Sequence, residues 1–160
     1  MEDINNSYLS FKIGTESFAI HVSRVNEIRE YEEPRKMPET VSFMKGVIDH
    51  REEVVPVIDT GVKFGMNPVQ ITPQTCIVII DVTREDTNSS FRVGILTDAV
   101  TDVFEVEESE FKQIDTDYSP NYIKATCNIN DNFYLVLNSD KVFSINEIIG
   151  MGDMIKQISK

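Results

Sequence analysis

The chain of 160 residues has no tryptophan, only two cysteines and only two histidines. Cys76 and Cys127 each sit inside an apolar run and share no C-x-x-C spacing. Too few for a disulfide framework, they are expected to be buried free thiols in a reducing cytoplasm. His21 and His50 lie far apart with no third ligand at metal spacing, so no metal site is expected. Long apolar runs are missing as well: none approaches the roughly 18 residues of a membrane-spanning helix. The opening residues 1–7 are polar and acidic, unlike a signal peptide. Cations are in short supply, with 15 Lys and Arg against 27 Asp and Glu and a net charge of -12. Such a chain is repelled by phosphate, which makes nucleic acid and anionic lipid poor partners. The bland reading of this charge is solubility; the alternative is complementarity to a basic partner.

Leu and Ala, the residues that lose least on entering a helix, together number 7, whereas Ile and Val number 36. Beta-branched residues suit a pleated, half-buried surface, so the chain is expected to be mostly strand. At this length one domain with a real core is possible.

The pattern along the chain fits that expectation. Leu9, Phe11 and Ile13 alternate onto one face, and Phe18, Ile20 and Val22 resume the alternation after a short turn, which predicts a hairpin. A helical turn is expected over 24–28, with Val25 and Ile28 on one side. Pro34 and Pro38 punctuate a loop. Residues 46–50 and 54–58 read as a second hairpin around Arg51-Glu52-Glu53; Pro56 predicts that its return strand is an edge or is bulged. A short helix is expected over 60–64, stopped by Gly65, followed by a polar connector. Residues 75–82 are apolar enough to be buried on both faces. Strands follow at 91–97 and 100–106, then an acidic helical turn at 107–110 and a loop over 115–120. Residues 123–129 and 133–137 flank the turn signal Asn130-Asp131-Asn132. A helix capped by Asn138 or Ser139 and a helical tail over 146–160, broken or frayed at Gly150 and Gly152, end the chain.

The two halves resemble each other. Phe18-Ala19-Ile20 through Ile28 aligns without a gap on Val93-Gly94-Ile95 through Val103, and Phe43 through Phe64 aligns on Tyr122 through Phe143. Each copy offers about five short strands, which most simply close into a small barrel. The expectation is two packed five-stranded barrels, the first over roughly 14–64 plus pairing segments and the second over roughly 75–143, with strands exchanged between them where pairing requires it. The seam between them is a natural place for a partner or ligand.

Catalytic signatures are missing. There is no G-x-S-x-G, no G-x-x-x-x-G-K-[ST] and no G-x-G-x-x-G. Acidic runs such as 105–110 are ordinarily a solvated face, and nothing favours paired carboxylates for acid–base work. No enzyme activity and no cofactor is expected. Glu27 among Val25, Asn26 and Ile28, and Arg51 where two apolar strands turn, do stand out. They are either two exposed charges or an ion pair bordering a groove, and isolated surface pairs stabilise little.

The ordered set of motifs Tyr8-x-x-Phe11-x-x-Gly14-x-Glu16-x-Phe18-Ala19-Ile20-x-Val22-x-x-Val25-x-Glu27-Ile28, Phe43-x-Lys45-Gly46-Val47-Ile48-x-x-Arg51-x-x-Val54-Val55-Pro56-Val57-Ile58-Asp59 and Val93-Gly94-Ile95-x-x-Asp98-Ala99-Val100-x-Asp102-Val103 resembles the CheW-type chemotaxis coupling proteins. The resemblance covers roughly residues 8–145. It implies an all-β fold of two intertwined SH3-like five-stranded barrels with short connecting helices and a C-terminal helix, a single domain over 1–160. It also implies a non-enzymatic bacterial adaptor of a two-component system, cytoplasmic and held at membrane-bound receptor arrays by protein contacts. The implied partners are a CheA-type histidine kinase regulatory domain and a chemoreceptor cytoplasmic tip. Val25, Glu27, Ile28, Gly46 and Arg51 carry over to the receptor side, with Glu27 and Arg51 acting together. The length implies the adaptor alone, without a receiver, phosphotransfer or ATP-binding domain. Where such proteins commonly have Asn-Leu-Arg-Gly, this chain has Asp49-His50-Arg51-Glu52; the missing glycine predicts a wider turn. The competing reading is a small-ligand sensor that uses the groove between the barrels.

Overall fold

The computed structural model describes residues 6–37, 41–114 and 121–158. Two five-stranded sheets form the body, and neither belongs to one half of the chain. The first runs β8-β1-β2-β10-β9 and the second β3-β6-β7-β5-β4. Their strands are β1 Ser7–Ile13, β2 Glu16–His21, β3 Val25–Glu30, β4 Met44–His50, β5 Glu53–Ile58, β6 Cys76–Thr83, β7 Ser90–Thr97, β8 Ala99–Glu105, β9 Ile123–Ile129 and β10 Asn132–Leu137. Among the described residues two α-helices, α1 Thr60–Lys63 and α2 Ile145–Ile158, complete the fold.

The internal repeat is visible in the hydrogen-bond register. Val136 pairs in parallel with Ala19, and Val57 pairs in parallel with Gly94. These are the same two positions of the repeat. Each copy therefore gives its first two strands to one sheet and its last three to the other.

Strand alternation divides the core. Leu9, Phe11, Ile13, Phe18 and Ile20 face the main cluster, which also holds Val57, Ile77, Ile79, Ile80 and Leu96. The opposite faces of β1 and β2 send Tyr8 and Ala19 into a second cluster with Val106, Ala125, Cys127, Tyr134 and Val136. Strand β6 is buried on both faces, as its unbroken Ile-Val run predicts. Each fully buried Ile contributes about 1.5–3 kcal/mol. Both cysteines are free, but only Cys127 is buried as expected; Cys76, at the start of β6, is half-buried.

Four local expectations need correction or qualification. Residues 24–28 are not a helical turn. A 3-10 turn occupies Val22–Arg24, and β3 begins at Val25, where the backbone pairs with β6. The apolar spacing of Val25 and Ile28 mimics a helix, but the free edge of β6 takes the segment as a strand. Pro56 lies in a strand that is not an edge, since β5 sits between β7 and β4. Its missing N–H is tolerated because β5 pairs with β7 only at Val57 and Ile58, while the ladder to β4 shifts register between Met44 and Gly46. Helix α2 runs through Gly150 and Gly152 without a break. Burial of Ile148 and Met151 on the core outweighs the weak propensity of the two glycines. Between β10 and α2, Asn138 caps a separate 3-10 turn, Ser139–Lys141, rather than a continuous helix. The loop over 115–120 and Pro38 lie outside the described residues.

Candidate functional site

Of the residues singled out by sequence, Glu27 and Arg51 are brought together, at the open side of the second sheet. Its two edge strands are β3 and β4. Three side-chain bonds join them. Arg51 Nη2 donates to Glu27 Oε1 at 3.0 Å, His50 Nε2 lies 2.9 Å from Asn26 Oδ1, and Arg29 Nη1 donates to the Asp49 carbonyl at 2.8 Å. This polar clasp closes the sheet into a barrel. His50 is buried, whereas Arg51 and Glu27 are 71% and 35% exposed at the rim. The ion pair itself therefore adds about 0–1 kcal/mol, and its value lies in presenting charge at a fixed place.

The hairpin that carries Arg51 is tight, not wide. His50 pairs directly with Glu53, so the turn is Arg51-Glu52 alone. Both residues take positive φ, 49° and 70°. This is the mirror-image two-residue turn that matches strand twist, built here without glycine. The second copy repeats it at Asn130-Asp131, with φ of 51° and 67°. At the base of the hairpin Glu53 accepts from Arg92 Nη1 at 2.8 Å, and this bond holds the Arg92 guanidinium above its ordinary value.

The five carried-over positions do not share one role. Val25 is half-buried against the main core, and Ile28 on the same edge strand is 44% exposed. With Glu27 and Arg51 they form an apolar and charged rim along β3. Gly46 is different. It is buried, at φ +152°, and a Cβ there would stand 2.1 Å from the Arg35 carbonyl oxygen. It lets the 35 region lie on β4, where Arg35 and Val47 exchange two backbone bonds of 2.9 Å each. Gly46 acts through this backbone approach and not through a side chain. Sequence reasoning did not find Asn26, Arg29 and Asp49 as members of the clasp. The signal available was only their place: three polar residues in the apolar strands β3 and β4, near a two-residue turn.

Chemically the rim offers an exposed apolar side chain beside an ion pair. Among the described residues no group of three His, Cys, Asp or Glu could hold a metal ion. No helix among them is long and apolar enough to cross a membrane.

The model of the CheW-like domain matches residues 7–147. The chain belongs to the CheW-like domain family. Relatives include a probable chemotaxis protein CheW of Rhizobium etli, 28% identical over 87% of this chain and 88% of that protein. Another is the chemotaxis protein CheW of Klebsiella aerogenes, 24% identical over 97% of this chain and 92% of its own length. The chemotaxis protein CheW of Bacillus subtilis is 32% identical over 68% of this chain. The crystal structure of the scaffolding protein TtCheW from Thermoanaerobacter tengcongensis superposes with a TM-score of 0.77 over 91% of this chain and 92% of that one, at 20% identity, and so shares the fold. This CheW-like chain is thus a non-enzymatic chemotaxis coupling or scaffold protein.

Proposed function

We propose that the chain couples the cytoplasmic tip of a chemoreceptor to a CheA-type histidine kinase, acting in the cytoplasm at receptor arrays. The receptor tip, a helical hairpin, meets the β3 rim at Val25, Glu27, Ile28 and Arg51, with Gly46 holding the rim's shape. The observation that carries this reading is the exposed Ile28 next to the Glu27–Arg51 pair on an edge strand. Helix-in-groove recognition uses such a combination, an apolar contact with a few polar anchors. The kinase's regulatory domain, which shares the double-barrel fold in this family, meets the adaptor barrel to barrel.

The test is a charge exchange. Arg51→Glu lowers incorporation into receptor arrays by about tenfold, a loss of about 1.4 kcal/mol. Adding Glu27→Arg to it restores much of the loss, while binding to the kinase regulatory domain stays constant throughout. Normal array incorporation of Arg51→Glu removes the pair from the receptor site.

A further inference from the structure

The two crossings between the barrels are held differently. From β2 to β3 the chain passes through the 3-10 turn Val22–Arg24, whose first N–H groups are capped by His21: Ser23 N donates to His21 Nδ1 at 3.0 Å. Arg24 closes this turn and directly precedes Val25. Its Nε donates to Ser139 Oγ at 2.9 Å and its Nη2 to Thr83 Oγ1 at 3.3 Å, and the guanidinium pairs with the Asp140 carboxylate. Asp140 Oδ1 also accepts the Thr83 N–H at 2.8 Å. The Asp140 N–H is itself held by Asn138 Oδ1 at 3.1 Å, and Ser139 is buried. One guanidinium thereby joins the end of β6 in one barrel to the turn that follows β10 in the other. Arg24 and Asp140 are 29% and 28% exposed, so the pair is shielded more than the Arg51 pair is.

The internal repeat supplies the comparison. At the crossing from β7 to β8, Ala99 stands where Arg24 does in the first copy. Thr60 and Gly61 stand where Ser139 and Asp140 do, and by strand register Gly14 stands where Thr83 does. Among the described residues no guanidinium spans that crossing; the Asp98 carboxylate there accepts the Gly14 N–H. The asymmetry falls on the side that carries β3. As an edge strand β3 pairs only with β6, and its register shifts between Val25 and Glu27. A shifted ladder holds its strand less firmly, and the counterpart β8 is likewise an edge strand with a shift in its ladder to β1, so the two copies differ in the tether and not in the ladder.

We propose that Arg24 is a positioning residue for the receptor-facing rim, fixing the start of β3 against the other barrel through Ser139, Asp140 and Thr83. This rests on the receptor-side reading of β3 given above. The test compares Arg24→Ala, Arg24→Lys and the unaltered protein by residue-resolved amide exchange, together with binding to receptor arrays and to the kinase regulatory domain. Arg24→Ala raises exchange at Val25–Glu30 about tenfold over that of the β4–β5 hairpin, as local opening does. Arg24→Lys, which reaches Asp140 but lacks the guanidinium fork, falls between. Array affinity drops alongside, and kinase-domain affinity changes less than about twofold, a residual too small to mark a lost contact. Exchange that is unchanged, or raised equally at β3 and at the β4–β5 hairpin, overturns the proposal. So does the expected exchange pattern with unchanged array affinity, because β3 would then have loosened without consequence for the rim. If the unaltered protein does not join arrays, the receptor-side reading fails instead, and the exchange pattern alone decides whether Arg24 holds the strand.

Discussion

Gly46→Ala separates a shaping role from a contact role at the rim. The new methyl would sit 2.1 Å from the Arg35 carbonyl oxygen and 2.8 Å from its carbon, both backbone atoms. Neither can swing away as a side chain would. Two costs follow. A φ of +152° is essentially reserved for glycine, and holding another residue there costs about 1–3 kcal/mol. Pushing Arg35 off β4 removes its two backbone bonds with Val47, each worth about 0.5–1.5 kcal/mol. The total is about 4 kcal/mol, a large fraction of the ~5–15 kcal/mol that holds an ordinary domain folded. In thermal unfolding this is a drop of about 8–16 °C, from ~2–4 °C per kcal/mol at this size. The neighbouring exposed Lys45 serves as the control, where Lys45→Ala stays within about 0.5 kcal/mol. A Gly46→Ala protein that unfolds within about 2 °C of the parent, an apparent cost under ~1 kcal/mol, refutes the clash argument. If that protein also failed to bind receptors, Gly46 would be a contact after all.

Two further outcomes follow from the same geometry. Glu52→Gly relieves a non-glycine residue at φ 70°. The relief of about 1–2 kcal/mol less glycine's own entropic cost of about 0.5–1 leaves a net stabilisation near ~0.5–1 kcal/mol, read from the urea midpoint at constant slope. No gain would mean that the turn is already relaxed. Burial raises the phenol pKa of Tyr8 and of Tyr122, and for Tyr8 the nearby Cys127 and Glu108 add to it. A raised folded pKa makes the unfolded chain the better place to ionise, so stability holds below pH ~10 and falls as pH rises through the folded values. Phenolate absorbance should rise in two phases, the later one coinciding with unfolding. A single phase near pH ~10 on a folded protein contradicts this.

Much of the fold is legible in the sequence. The excess of Ile and Val marked the strands, and the alignment of Phe18–Ile28 with Val93–Val103 marked the repeat. The turns at Arg51-Glu52 and Asn130-Asp131 fell where polar residues interrupted apolar runs. What failed was local reasoning about segments whose state is fixed elsewhere. Val25 to Ile28 is a strand because β6 offers it an edge, a fact some 50 residues distant in the chain. Helix α2 persists through two glycines because Met151 between them is buried. The width of the 50–53 turn was misjudged from the missing glycine. Strand pairing fixes the register on both sides, and the backbone absorbs two left-handed residues to keep it.

The site was partly legible in the same sense. Glu27 and Arg51 were visible as charges set among apolar neighbours, and the structure brings them into contact. Arg24 was not visible, although the repeat marked it: an arginine aligned with Ala99, and Asp140 aligned with Gly61. A charge present in one copy and absent from the other at both ends of a contact is a signal that only reading the two copies against each other provides. His50 was legible as a polar residue near the turn, but its bond to Asn26 depends on barrel closure, which no local pattern encodes.

The central claim is coupling, and it is tested most directly by sedimenting receptor-tip arrays with the kinase in the presence and absence of this protein while following kinase autophosphorylation. The expected result is that the protein enters the arrays, brings the kinase with it and changes kinase activity in a saturable way. Arrays that sediment with the same kinase content and activity whether or not the protein is present would contradict it.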